Sequence, residues 1–285
     1  MMELSKYKSE TRPDWCPGCG DFGVLNSLTQ AVANLNIDPK DLLIVSGIGC
    51  SSNLPGFINA YGFHSLHGRA LPIATGAKLA NPELNVVVTG GDGDGYGIGL
   101  GHFIHAMRRN LDLTYVVMDN QIYGLTTGQA SPTSSKNFAT KSTPTGVIEE
   151  PINPIALALV AGATYVARGF SGDPRHLTEL IQNGIRHKGF SLIDVFSPCV
   201  TWNKINTYDY FRQRCVKFNG AEYNASSFDQ ALAKSRETEP KLPIGLFYET
   251  QKPTYEEQDV ALKVGNPVKE QLGVADPRQL FAEFY

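Results

Sequence analysis

No apolar run in the 285-residue chain approaches the roughly 20 residues needed to cross a bilayer; the candidate 84–89 (LNVVVT) is only strand-sized. A membrane-spanning segment is therefore not expected. The polar N-terminal stretch MMELSKYKSETRPDW has no apolar h-region, so a signal peptide is not expected either. Basic charge is not in excess: 25 Lys and Arg against 28 Asp and Glu give a net charge of −3 and a pI near 6.1. Such a chain has no global field to hold a phosphate backbone, which argues against nucleic-acid or acidic-membrane partners. With 42% hydrophobic and 19% charged residues it also falls outside the disordered and collagen-like classes. Cysteine is scarce, and the five present (Cys16, Cys19, Cys50, Cys199 and Cys215) are an odd number. In a cytoplasmic, reducing setting, the expected location, such a set points to a metal or redox site more than to disulfides.

What is present is an alternation of helical and extended patterns. Phe22, Val24, Leu25, Leu28 and Val32 recur at helical spacing after the first cysteine pair. Residues 41–47 (DLLIVSG) read as a buried strand that delivers Cys50, and 84–89 as a second strand closed by Gly90-Gly91-Asp92-Gly93-Asp94-Gly95. The helical pattern IGLGHFIHAMRRN follows, then a strand at 113–118 ending in Asp119-Asn120, and another within 160–168. A helix opens at Asp173 as N-cap with Pro174 at its first position and runs to about residue 188. A fifth strand, 191–196, carries Cys199 beyond its carboxyl end. Near-continuous apolar strands alternating with helices predict an α/β fold with a doubly wound, mostly parallel sheet. The expected division is an α/β domain over 1–200 and a C-terminal arm or small subdomain over 201–285, where the alternation fades into Tyr-, Lys- and Pro-rich sequence. In such sheets ligands sit beyond the carboxyl ends of the strands, and every polar or cysteine-bearing motif falls at such an end.

Two constellations carry chemistry. Cys16-Pro17-Gly18-Cys19 is a CxxC with a turn between its sulfurs, and Cys50 and Cys199 are its natural third and fourth partners. Four thiolates fit a structural Zn²⁺ or an iron–sulfur cluster equally, and the bland alternative makes Cys50 and Cys199 small buried hydrophobes. Cys215 reads as a free thiol. The second constellation is Gly91-Asp92-Gly93 with Asn120, 28 residues after Asp92 at the next strand end. This spacing fits a thiamine diphosphate site: glycines would let the backbone approach the diphosphate, and Asp92, Asn120 and the Ile122 carbonyl would supply oxygens to an octahedral Mg²⁺; the bland alternative is a turn plus an N-cap. Asp94 reads as a supporting partner or as a solvated turn residue. His64/His67 and His102/His105 have HxxH spacing but read as hydrogen-bonded histidines rather than a zinc site. Arg69 and Arg168 would meet a substrate carboxylate or pair with acidic neighbours, and the polar loop Gly124-Leu125-Thr126-Thr127-Gly128-Gln129 reads as a loop placed to close over a cofactor or as a plain surface loop.

Taken together, WCPGCGDFG, SGIGC, GFHSLHGRALPIATGAKLANPEL, GGDGDGYGIG, HAMRRN, MDNQIYGLTTGQASPT and SPCVTWN resemble the β subunit of the 2-oxoacid:ferredoxin oxidoreductases, from about Tyr7 to the YDYFRQR stretch and more loosely beyond. The resemblance implies the thiamine diphosphate-binding fold, thiamine diphosphate with Mg²⁺, and one [4Fe–4S] cluster held by Cys16, Cys19, Cys50 and Cys199. The implied Mg²⁺ positions are Asp92, Asn120 and Ile122, and the implied cofactor pocket comprises Gly49, Cys50, Ser51, His67, Gly91, Asp92, Gly93, Asp94, Asn120, Ile122, Gly124, Leu125 and Thr126. The implied reaction is oxidative decarboxylation of a 2-oxoacid with coenzyme A to acyl-CoA and CO₂, electrons leaving through the cluster to ferredoxin. Both 2-oxoglutarate and pyruvate fit, 2-oxoglutarate being favoured on overall resemblance; the 126–129 loop reads TTGQ where many relatives have TGGQ, which bears on substrate size. No CxxCxxCxxxCP run is present, so one cluster and an external ferredoxin are expected. The glutamate that activates the aminopyrimidine ring belongs to a second α/β domain and is expected from an α subunit, making the protein a hetero-oligomer, αβ or its dimer. Two rival readings are a non-redox thiamine diphosphate decarboxylase or synthase with structural zinc, and a non-catalytic iron–sulfur electron-carrier subunit.

Overall fold

A computed structural model describes residues 2–218, 223–270, 277–282 and 284. Among the described residues eight strands form one sheet: β1 (Leu42–Ser46), β2 (Tyr61–His64), β3 (Asn85–Gly91), β4 (Thr114–Asp119), β5 (Tyr165–Phe170), β6 (Ser191–Phe196), β7 (Cys215–Lys217) and β8 (Leu242–Glu249). Their order is β2-β1-β3-β4-β6-β5-β8-β7. All neighbours run parallel except β5 and β8, which pair antiparallel. The sheet is apolar on both faces because successive side chains point to opposite sides. Val87, Val116 and Met118 join one core with α1 (Asp21–Asn34) and a second helix over Pro174–Arg186. Val86, Val88, Tyr115 and Val117 face the other way, onto helices over Ala70–Ala80, Leu100–Arg109 and Pro154–Ala161. In chain order these helices are α2 (Ala70–Ala80), α3 (Leu100–Arg109), α4 (Pro154–Ala161) and α5 (Pro174–Arg186). Among the described residues no helix is long and apolar enough to cross a membrane.

The α/β class, the parallel core strands and the Asp173 cap, whose side chain accepts from the His176 N–H, follow the sequence reading. Three places differ. The strand expected within 160–168 begins only at Tyr165, because 154–161 is helical: Asn153 caps it, Pro154 opens it and Gly162 at φ 93° ends it. A short continuous apolar run has no period to separate helix from strand, and the cap decides. β2 is an edge strand with all four residues exposed, so it carries no hydrophobic signature. Beyond residue 201 the chain supplies the last two strands of the same sheet; β8 hides its alternation because it is covered on both faces, with Pro243, Ile244, Gly245 and Phe247 all buried.

Candidate functional site

From β1 the chain crosses to β2 on one side, and from β3 to β4 on the other, so a crevice opens where the carboxyl ends of β1 and β3 diverge. A cavity fills it, lined by Ile48–Ser51, His67, Gly91–Asp94, Met118, Asn120 and Ile122–Thr126. Every member of the cofactor pocket expected from the sequence is in this lining. Asp92, at the end of β3, is buried, and its Oδ2 accepts from the hydroxyls of Ser131 and, at 2.6 Å, Thr133. Thr133 Oγ1 also lies 2.8 Å from Asp119 Oδ1. A hydroxyl has one proton, so making both contacts requires that one of the two carboxyls be protonated. Burial accounts for this: it lifts Asp92 to about 6 and Asp119 well above the usual carboxylate range, with neighbouring Asp194 and Asp92 adding to the latter.

Asp94 is a buried anchor rather than a solvated turn residue. Its Oδ1 accepts from the backbone N–H of Ile48 (2.9 Å) and of Gly68 (2.7 Å), and lies 3.0 Å from His67 Nδ1. One carboxylate thereby ties together the loops after β1, β2 and β3. Gly47 is demanded by this closeness, since a Cβ there would lie 2.0 Å from Asp94 Oδ2. Asn120 Oδ1 accepts from the Ile122 N–H at 3.1 Å, and the Asn203 amide donates to the Asn120 carbonyl at 3.0 Å. The Tyr123 hydroxyl donates to the Gly93 carbonyl, closing the loop 121–129 onto the glycine turn. Ser51 lines the same cavity, and its buried hydroxyl has no hydrogen-bond partner.

The cysteines assemble beside this cavity from three segments. The Cys19 N–H bonds to the Cys16 carbonyl at 2.9 Å, with Gly18 at φ 85°, which makes CPGC a tight turn. The Gly20 N–H donates to the Pro198 carbonyl at 3.0 Å and stitches that turn to the segment of Cys199. Trp15 Nε1 donates to the Cys50 carbonyl at 2.7 Å, fixing the third segment. A Cβ on Gly124 would lie 3.6 Å from the Sγ atoms of both Cys50 and Cys199, and 3.9 Å from Asn120 Nδ2, so the two constellations meet at this glycine. Burial, then the neighbouring Asp21, then the other cysteines push up the thiol of Cys50 to about 12, and the same influences raise Cys19. Such thiols ionise only when a cation compensates them. Among the described residues no three His, Cys, Asp or Glu side chains are arranged to hold a single metal ion.

The remaining candidates separate cleanly. Arg168 is buried, pairs with Asp194 at 2.8 Å and is sandwiched near Phe196 and Phe247, so it is a structural ion pair and not a substrate contact. Arg69 is exposed, and the four HxxH histidines gather no ligand set. Cys215 lies apart, packed near Phe170, Phe196 and Phe211. Sequence reasoning missed Ser131 and Thr133, which hold Asp92, and Asp21, whose Oδ1 accepts from Ser197 Oγ at 2.8 Å and whose carboxyl burial lifts to about 6. It also missed the Tyr96–Asp194–Arg168 chain under the sheet's carboxyl edge. The signal the sequence offered was an Asp two residues after the CxxC, at the start of a helical pattern.

Residues 47–195 match the thiamine pyrophosphate enzyme C-terminal TPP binding domain, and residues 199–263 match the C-terminal family of the pyruvate ferredoxin oxidoreductase beta subunit. The chain is 49% identical over 260 residues to a 2-oxoacid:ferredoxin oxidoreductase subunit beta of Saccharolobus solfataricus, covering 87% of this chain and 85% of that protein. It is 40% identical over 261 residues to the 2-oxoglutarate synthase subunit KorB of Methanocaldococcus jannaschii, covering 90% and 96%. The structure is similar, at TM-score 0.92 and 43% identity over 100% of this chain and 96% of the other, to a 2-oxoglutarate:ferredoxin oxidoreductase from Magnetococcus marinus with 2-oxoglutarate, coenzyme A and succinyl-CoA bound. With a thiamine pyrophosphate-type domain and relatives at these identities over most of its length, the chain belongs to the β-subunit family of the 2-oxoacid:ferredoxin oxidoreductases.

Proposed function

We propose that this chain works with an α subunit in the cytoplasm to convert a 2-oxoacid, coenzyme A and two oxidised ferredoxins into acyl-CoA, CO₂, a proton and two reduced ferredoxins. The observation that carries this reading is that Cys50 lines the same cavity as Asp92 and Asn120, with Gly124 abutting the sulfurs of Cys50 and Cys199. A cofactor in that cavity would sit against the cysteine centre, and electron transfer falls steeply with distance.

The residues present fit both groups. Asp92, Asn120 and the Ile122 carbonyl are hard oxygen donors of the kind Mg²⁺ takes, the Gly91–Gly93 backbone leaves room for a diphosphate, and Ser51 has a buried hydroxyl to offer. Four cysteines on three segments, with the Trp202 N–H 3.5 Å from Cys199 Sγ, fit a [4Fe–4S] cluster, whose sulfurs lie farther apart than those around one zinc. Bound thiamine diphosphate supplies carbanion and electron-sink chemistry that side chains lack, and the cluster supplies one-electron transfer. The protein supplies the rest. Ser131 and Thr133 orient Asp92, Asp94 holds three loops around the cavity, and Ile48, Met118, Tyr123 and Leu125 give it an apolar wall that limits water. The activating glutamate comes from the α subunit, so the isolated chain is inactive.

Relatives named for 2-oxoglutarate favour that substrate over pyruvate. The test is iron and acid-labile sulfide per chain on anaerobically purified protein. About four of each supports the reading; zinc or no metal moves the chain to the non-redox thiamine enzymes. Calorimetric titration of the αβ complex with thiamine diphosphate and Mg²⁺ separates the electron-carrier alternative, which binds neither, and kcat/KM for 2-oxoglutarate against pyruvate assigns the substrate.

A further inference from the structure

We propose that an acidic one-electron carrier protein docks on the patch around Trp202, over the open rim of the cysteine centre; this rests on the function proposed above. The centre is not equally enclosed: Cys199 is buried, Cys19 and Cys50 are half-buried, and Cys16 is exposed. Its open side therefore lies at the CPGC turn. A Cβ on Gly18 in that turn would lie 3.8 Å from Val200 Cγ1, which sets the turn against the segment 199–205. That segment presents Trp202 and Ile205 to solvent at 36% and 57% exposure, and the Trp202 N–H points at Cys199 Sγ. Exposed apolar side chains thus lie next to a cysteine sulfur.

Charge at this spot identifies the occupant. Lys141 Nζ sits 5.6 Å from the Trp202 ring centre, and Lys204 Nζ donates to the Val200 carbonyl at 2.6 Å. Neither lysine has a carboxylate partner among the described residues; Lys6, Lys8, Lys241, Lys252 and Lys263 share that property, and what sets Lys141 and Lys204 apart is that both lie beside the exposed Trp202 at the open rim of the cysteine centre. Nearby Asp209 is neutralised by Arg212 at 3.1 Å. On a chain whose net charge is −3, two unpaired cations framing an exposed indole are a local reversal of sign. Burying unpaired lysines in a permanent subunit interface is costly, and such interfaces are depleted in lysine. A small, transient, electrostatically steered interface tolerates them and uses them to speed encounter. The partner that fits is a protein with a negative face around its own redox centre.

The test uses the assembled αβ holoenzyme and an acidic two-cluster [4Fe–4S] ferredoxin, with methyl viologen as an acceptor that needs no docking. The Lys141→Glu/Lys204→Glu double variant is expected to raise KM for ferredoxin at least about tenfold. Its viologen-linked turnover and visible absorbance should match the parent enzyme. Calorimetry with oxidised ferredoxin should show a weaker Kd and a shallower salt dependence, and the Lys141→Gln/Lys204→Gln pair should fall between. An unchanged ferredoxin KM and Kd in the glutamate variant overturn the proposal. So does failure of that variant to assemble with the α subunit, which would assign the patch to the subunit interface. Parent holoenzyme that reduces neither acceptor overturns the function itself, and the docking with it.

Discussion

The oxygen-donor half of the site lies within one βαβ unit, from Asp92 at the end of β3 to Asn120 at the end of β4, whereas the cysteine half draws on residues 16, 19, 50 and 199. The first needs one strand, one turn, one helix and the next strand to be in place. The second needs β1 and β6 to stand at their proper separation with β3 and β4 between them, and the N-terminal turn to be stitched to Pro198. Local construction tolerates damage elsewhere, while nonlocal construction reports on the whole sheet. The halves also differ in polarity. Hydroxyls hold Asp92 Oδ2 and backbone amides hold Asp94 Oδ1 in the first, whereas the thiols of the second are raised by burial and lack compensating charge. The oxygen half is thus largely preformed, whereas the cysteine half would need the proposed cluster to compensate its thiols.

Substitutions can break this contrast. Cys199→Ala is expected to lose essentially all cluster iron, while Cys215→Ala keeps it, because Cys215 packs among aromatic rings away from the centre; equal loss of iron and visible absorbance from both would misassign the fourth ligand. Asp92→Ala should weaken Mg²⁺-dependent retention of thiamine diphosphate by more than about 100-fold and leave the cluster spectrum intact. Retained cofactor, read by calorimetry, would contradict the cradle. Thr133→Val keeps the shape but removes the hydroxyl shared by Asp92 and Asp119. A roughly tenfold loss of Mg²⁺ affinity is expected, with iron content unchanged. Gly124→Ala probes the border of the halves: its methyl group would touch both sulfurs at 3.6 Å, so a partial loss of iron with smaller loss of thiamine diphosphate is expected.

The opposite edge of the sheet offers a control. His187, at the amino end of β6, is buried, with its Nε2 2.8 Å from Thr164 Oγ1, and burial lowers its pKa from 6.5, opposed in part by Glu249. The unfolded chain takes up a proton there more readily than the native one. Stability should therefore fall as pH drops below about 6.5, and His187→Gln should flatten that slope in thermal melts without altering iron content.

The strands β1, β3, β4 and β6 were legible because continuous apolar runs bounded by Gly and Asp have few other readings, and α5 because Asp173-Pro174 is a strong start signal. β2 was invisible because an exposed edge strand buries nothing, and β8 because a strand covered on both faces shows no alternation. In the site, Asp92 and Asn120 stood out by spacing, and Cys50 and Cys199 by their positions just beyond strand ends. Ser131, Thr133 and Asp21 did not, since a hydroxyl or carboxyl in a loop has no period and its partner lies up to 176 residues away.

By itself the sequence determined the class of fold and singled out Asp92, Asn120 and four of the cysteines as candidates, because these depend on short-range pattern and residue type. Only the tertiary structure decided that Cys50 shares a cavity with Asp92, that Asp94 is an anchor and not a surface turn, and that Arg168 serves a buried pair. Those outcomes depend on which strands lie side by side and which groups lose their water, and strand order is a property of the packed sheet that no local run of residues encodes.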